Sequence, residues 1–373
     1  MTAAVLEAVV AGEDRTLAVA VRILKGAVAA RASDIHFRAG RPPLVRVDGA
    51  LVPLEHPPLD ASVIASVAAA FARASGTRVD PLAVRQSDFS FALPDVGRFR
   101  AHVYRQAATF AIVLRVIPRQ IPDFAALRLP PVVKRIATLE NGLVLVTGAT
   151  GMGKSTTVAS ILEFVNQSMV RHVCTIEDPV EFVFTDHYSS FSQREIGRDV
   201  DGYDEGLRGA LRADPDVLFL GEIRTFEALE TVMLAAESGR LVISTVHTPD
   251  AMRTINRLVG FFPIDRQETA RHRLADALKA VVAQRLVPRT GSSGRILAVE
   301  VMRASPTVRD CIRDPLRLKG LVAAIEAGHH EFGMQSFDQQ LTALYKDGLV
   351  TLEAAKAAAT SPADLVRNLS VSR

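Results

Sequence analysis

Apolar positions along the chain change their period near residue 120. Upstream, they recur at helical spacing over about 17–30 and 61–74, and alternate with polar positions over 34–38, 44–47, 51–54, 88–92, 98–105 and 109–116. This order of helix, sheet, helix, sheet predicts an α+β domain over 1–116, with Asp48-Gly49 as a hairpin turn. Prolines at Pro118, Pro122, Pro130 and Pro131 interrupt regular structure and predict a proline-rich linker over 117–131. Downstream, continuous apolar runs at 143–146, 173–176, 217–220 and 241–245 alternate with helical patterns. Such runs predict a parallel sheet covered on both faces, an α/β domain over 132–264. The remainder, 265–373, reads as mostly helical, with a strand candidate at 295–301 and Asp347-Gly348 closing a helix.

Composition removes several function classes. The net charge of +3 comes from 44 basic and 41 acidic residues, spread without a basic block or a basic aromatic groove, so no direct nucleic-acid partner is expected. Cys174 and Cys311 are the only cysteines and form no CxxC, which indicates neither a zinc site nor a disulfide framework and fits a reducing cytoplasm. The apolar stretches are short or interrupted by Arg22 and Lys25, below the ~18–20 residues a membrane span needs. The first residues lack the charged and apolar regions of an export signal, and none is expected.

The chemistry concentrates in one segment. The strand at 143–146 runs into Gly148, Ala149, Thr150, Gly151, Met152, Gly153, Lys154, Ser155 and Thr156, followed by Val158, Ile161, Leu162 and Val165 at helical spacing. Strand, glycine loop and helix in that order predict a phosphate-binding loop for ATP. The backbone N–H groups wrap the phosphates at the helix N-terminus, Lys154 reaches the β and γ oxygens, and Ser155 is the candidate Mg²⁺ ligand. The strand at 217–220 ends in Gly221-Glu222, placing Glu222 at the carboxyl edge of the sheet to polarise an attacking water. Gly221 stands where an aspartate usually precedes such a glutamate. Glu177, Asp178 and Glu181 crowd the end of the strand at 173–176, an arrangement that calls for a shared cation. His247, just after the strand at 241–245, is either a γ-phosphate sensor or a satisfied structural residue.

Taken together, residues 148–156, 175–182, 220–224 and 244–250 resemble the Walker A, Asp box, atypical Walker B and His box of the secretion ATPases, the hexameric motors of type II secretion and type IV pili. The likeness extends to the segments at 32–36, 46–49, 88–91, 284–288 and 333–338, nearly the whole chain. Within the family it is most similar to the retraction motors of twitching motility, because it lacks a long N-terminal extension and a four-cysteine zinc module. The resemblance implies a PAS-like N-terminal domain followed by a RecA-like P-loop NTPase domain. It also implies a homohexamer, hydrolysis of ATP with Mg²⁺, and peripheral association with the cytoplasmic face of the inner membrane. The implied partners are a pilus platform protein there and a paralogous retraction ATPase. A pilus-extension or type II secretion assembly ATPase, and an accessory ATP-binding subunit, stand as alternatives. The chain departs from the family at Ala149 and Met152, where Pro and Ser are common, at Arg240, where a second histidine is common, and across 307–314.

A hairpin centred on Ala107-Ala108 sets Arg100 opposite Arg115, and like charges directly opposed are unfavourable unless an anion relieves them. A γ-phosphate from a neighbouring subunit is one such anion, and the family is thought to use arginines from these two strands in trans. Solvated strand charge is the alternative, and Arg98 and Arg105 are lesser candidates.

Overall fold

The computed structural model describes residues 15–371 apart from Asp48, Arg78, Val79, Pro118, Arg119, Ser292 and Ser293. The expected turn residue Asp48, the linker's Pro118 and residues 1–14 of the N-terminal domain therefore lie outside the described residues. The architecture is mixed α/β, in two compact units. The first runs to Gln120 and includes Pro179–Val183 and Gly197–Asp199, and the second holds the rest.

The first unit carries α1 (Arg15–Ala29), β1 (Asp34–Arg38), β2 (Leu44–Val47), β3 (Ala50–Pro53), α2 (Ala61–Ser75), β4 (Gln86–Leu93), β5 (Gly97–Gln106) and β6 (Thr109–Ile117). The strands form one antiparallel sheet in the order β3-β2-β1-β6-β5-β4. Alternation puts Phe99, Ala101, Val103, Ile112 and Leu114 on the face covered by Leu24 of α1 and by Ile64 and Phe71 of α2. The opposite face carries the charge. Across it the register aligns Arg46, Asp34, Arg115, Arg100 and Ser90 on five successive strands. Arg100 does face Arg115, and Ala107 and Ala108 turn the hairpin with φ of 45° and 59°. An internal carboxylate stands on the same row, against Arg115 and Arg46 rather than Arg100. Asp34 lies 3.1 Å from Arg115 Nε and 3.7 Å from Arg46 Nε. Arg98 and Arg105 are engaged elsewhere, Arg98 with Ser90 Oγ and Arg105 with the Leu82 carbonyl and the Phe110 ring.

The second unit begins with α3 (Val132–Ala137), β7 (Gly142–Thr147), α4 (Lys154–Ser168), β8 (His172–Glu177), β9 (Ser190–Glu195), α5 (Tyr203–Leu211), β10 (Val217–Leu220), α6 (Phe226–Glu237), β11 (Leu241–Val246), α7 (Ala251–Val259) and α8 (Gln267–Ala277). It continues with β12 (Leu278–Pro288), β13 (Arg295–Arg303), α9 (Pro306–Arg313), α10 (Leu321–Ala327), α11 (His329–Phe332), α12 (Phe337–Lys346), α13 (Leu352–Ala358) and α14 (Pro362–Val371). Its sheet has seven strands in the order β13-β12-β7-β11-β10-β8-β9. Every pair is parallel except β12 with β13.

Two departures from the sequence reading matter. β12 falls inside the stretch expected to be mostly helical, because Ala280-Val-Val-Ala283 is buried throughout. A strand covered on both faces has no alternation to separate it from a buried helix. The stretch read as linker also enters this unit's core through Phe124 and Leu129, which pack with Val133, Ile136 and Val158. Phe124 and Leu129 thus bring apolar contact into a stretch that its prolines mark as a linker.

Candidate active site

Parallel pairing brings four strand ends to one edge. β7, β11, β10 and β8 are consecutive neighbours, so their carboxyl ends deliver the phosphate loop, His247, Glu222 and Glu177 side by side, where open α/β sheets bind ligands. The loop's first glycine is dictated by space and backbone. Gly148 has φ of 149°, and a Cβ there would stand 2.8 Å from the Gln284 carbonyl oxygen of β12. The loop ends at Gly153, the N-cap of α4, whose first residues are Lys154 and Ser155.

Lys154 is 8% exposed. Its ammonium donates to the carbonyls of Gly148 at 2.9 Å and Ala149 at 3.2 Å, and reaches His247 Nδ1 at 3.3 Å. Thr150 Oγ1 approaches the same nitrogen at 3.4 Å. On the other side of the ring, His247 Nε2 lies 3.3 Å from Glu222 Oε2, which also accepts from Arg224 Nε at 2.9 Å. A neutral imidazole protonated at Nε2 fits both contacts, accepting from the ammonium and donating to the carboxylate. The ring thus lies between the loop lysine and the acid.

The Glu222 turn is pinned from both sides. Ser244 Oγ donates to the Leu220 carbonyl at 2.7 Å and Thr245 Oγ1 to the Gly221 carbonyl at 2.6 Å, while the Gly221 N–H donates to the Ile176 carbonyl at 2.8 Å. Gly221 is a close fit: a Cβ would stand 3.2 Å from Tyr203 Oη and 3.3 Å from the Ile176 oxygen, so those neighbours would have to give by a few tenths of an ångström. Glu177, 7% exposed, accepts from Thr175 Oγ1 at 2.7 Å and Gln193 Nε2 at 3.3 Å. Asp178, next to it, is exposed.

Tyr203, at the start of α5, escaped the sequence reading. Burial pushes its phenol well up, with the negative charges of Asp178, Glu222 and Glu177 adding to the shift and Arg224 opposing it. The hydroxyl therefore keeps its proton beside three carboxylates. No motif announces it, because it reaches the site from the helix opposite Gly221. Arg100 and Arg115 stand on the other unit's sheet, with Arg115 on Asp34.

Hard oxygen donors suit Mg²⁺. Among the described residues no three His, Cys, Asp or Glu side chains converge to hold a metal by themselves. The half-buried Ser155 hydroxyl, beside the loop that would hold phosphate, fits a Mg²⁺ that arrives with ATP. Bound there, the ion would supply positive charge to the β and γ oxygens.

Comparison with known proteins gives the family. The sequence matches the family "Type II/IV secretion system protein" over residues 12–313. It is 38% identical over 331 residues to the type IV pilus retraction ATPase PilT of Pseudomonas aeruginosa, covering 89% of this chain and 95% of that protein. It is 35% identical over 314 residues to a twitching motility protein of Neisseria gonorrhoeae, 84% of this chain and 83% of that one. Among solved structures, the pilus retraction motor PilT with bound ADP superposes with a TM-score of 0.86 at 41% identity, covering 93% of this chain and 98% of that chain. With the family pattern matched across both units and the phosphate loop at the sheet edge, the chain belongs to the type II/IV secretion system protein family.

Proposed function

We propose that the chain is an ATP-hydrolysing motor that powers retraction of a type IV pilus, as the names of its relatives say of them. The observation that carries the reading is the continuous contact from Lys154 through His247 to Glu222, which joins the phosphate-binding cation to the acid that activates water. Water oxygen attacks the γ-phosphorus, the bond to the bridging oxygen of ADP breaks, and Glu222 accepts the water's proton. Glu177 and Asp178 organise the water and ion shell, Thr156 and the loop N–H groups hold the phosphates, and His247 couples phosphate occupancy to Glu222. We read the first unit as PAS-like and the second as RecA-like, with a helical C-terminal part.

The motor is a homohexamer in which Arg100 and Arg115 of one subunit complete the neighbour's site. It acts from the cytoplasm, docked on an inner-membrane platform protein, alone or with a paralogous retraction ATPase. No helix among the described residues is long and apolar enough to cross a membrane, which suits a peripheral motor. Glu222→Gln tests the core of this reading. It keeps the side chain's size, so ATP still binds, and turnover falls at least ~10²-fold, the scale of losing a positioned base. Hydrolysis by the purified variant near the wild-type rate would take Glu222 out of the mechanism.

A further inference from the structure

A second buried carboxylate stands one step behind the catalytic edge. Glu300 sits in the middle of β13, opposite Ala283 of β12, and is 2% exposed. Its Oε1 accepts the Ala251 N–H at 2.8 Å, the first amide of α7. The N-cap of that helix, Asp250, accepts the Arg253 N–H at 2.8 Å and binds the Arg253 guanidinium. Two amides that a helix N-terminus leaves without intrahelical partners are thus met by carboxylates, one local and one from β13. Fold stability alone does not call for the second charge, since a neutral acceptor would satisfy the amide without the desolvation cost of an ion.

What the clamp holds is the His247 loop. The Asp250 carbonyl accepts Thr254 Oγ1 at 2.7 Å, the Thr254 hydroxyl meets Thr248 Oγ1 at 2.7 Å, and Thr248 follows His247 directly. We propose that Glu300 is a positioning residue for ATP hydrolysis: through the first turn of α7 it sets the His247 ring between Lys154 and Glu222. The proposal rests on the hydrolytic reading given above and deepens it.

The carboxyl is also able to change its grip. Burial, with Asp250 and Asp338 of α12 adding to it and the Ala251 N–H and Arg285 of β12 opposing it, pushes the carboxyl up to about 7. Arg253, the remaining charge on α7's first turn, is taken by Asp250. Above that range Glu300 is a carboxylate and a strong acceptor, and below it a weaker neutral one.

The test compares the full-length wild type with Glu300→Gln and Glu300→Ala. Gln keeps an acceptor oxygen and removes the charge; Ala removes both. At about pH 8 the Gln variant should turn over about fivefold more slowly, the difference between a charged and a neutral hydrogen bond. By about pH 6 the wild type should have dropped to the Gln rate, so the two curves converge. Ala should lose about 10–10²-fold in kcat with KM for ATP nearly unchanged, the cost of a misplaced group outside the reacting atoms. A wild-type to Gln ratio that stays constant across pH overturns the proposal, whether or not the Ala variant folds. If the wild type hydrolyses no ATP, the hydrolytic reading falls by itself. Amide exchange over residues 248–254 then decides the clamp: faster exchange in the Gln variant than in wild type above about pH 7 supports it, and equal protection overturns it.

Discussion

His247 has a nitrogen for each neighbour, Nδ1 toward the Lys154 ammonium and Nε2 toward Glu222, and that division suits the coupling proposed for the ring. A phosphate that draws Lys154 away changes the first contact and, through the ring, the second. Lys154 and Glu222 are legible in sequence because each sits at a fixed place relative to a strand and a glycine. Tyr203 and Glu300 are not, since each meets its partners across the fold from an element whose local pattern serves packing. Gly221 is the residue where this difference can be tested. A side chain there would press on Tyr203 Oη and the Ile176 oxygen, 3.2 and 3.3 Å from its Cβ. Gly221→Asp should therefore damage the enzyme: we expect a loss of about 1–3 kcal/mol in stability, the cost of overpacking, with a carboxylate added beside Glu177, Asp178 and Glu222. Thermal denaturation together with ATP turnover checks it, and a variant as stable and as active as the wild type would show that the site has room for the second acid.

At the scale of elements, strands with one solvated face declare themselves and strands buried on both faces do not. β5 alternates so cleanly that its register with β6, and the opposition of Arg100 to Arg115, follow from the turn at Ala107-Ala108. β12 is hidden because its middle is apolar throughout, yet it supplies the Gln284 carbonyl that excludes a side chain at Gly148. Asp34, which pairs with Arg115, lies 81 residues away in sequence, so no local pattern joins the two. The pairing separates the two arginines in the shared-site reading. Asp34 restrains Arg115, while Arg100 forms no ion pair among the described residues and is the freer to meet a phosphate. Arg100→Ala should then abolish hydrolysis without loss of stability, since it removes one of two facing like charges. Mixed with an inactive Lys154→Ala subunit, it should recover part of the activity, because some interfaces join an intact loop to an intact arginine. Subunit exchange confirmed by fluorescence transfer, with no activity recovered, would remove Arg100 from the neighbour's site.

For the whole molecule, the reading of a split site makes activity a property of the assembly, so specific activity should rise with protein concentration as rings form. A species that light scattering shows to be monomeric, with concentration-independent turnover, would contradict it. Stability carries a second whole-molecule signature, through Glu300. Its carboxyl titrates at about 7 in the fold against 4.5 for the free group. Because the folded value is the higher, the group's contribution to stability is full below about 4.5, falls as the unfolded chain ionises first, and is lost once pH passes about 7. The difference amounts to on the order of 3 kcal/mol. That is a cost the fold bears at neutral pH in order to keep a charge behind the His247 loop, the trade between stability and activity seen at functional sites. Glu300→Gln has no such group to ionise. Its melting temperature should match the wild type's near about pH 4.5 and exceed it by several degrees at about pH 8, the opposite sign from its effect on turnover. A melting difference that does not grow with pH would mean that Glu300 binds its proton equally well folded and unfolded, and would remove the thermodynamic basis for its control of the active site.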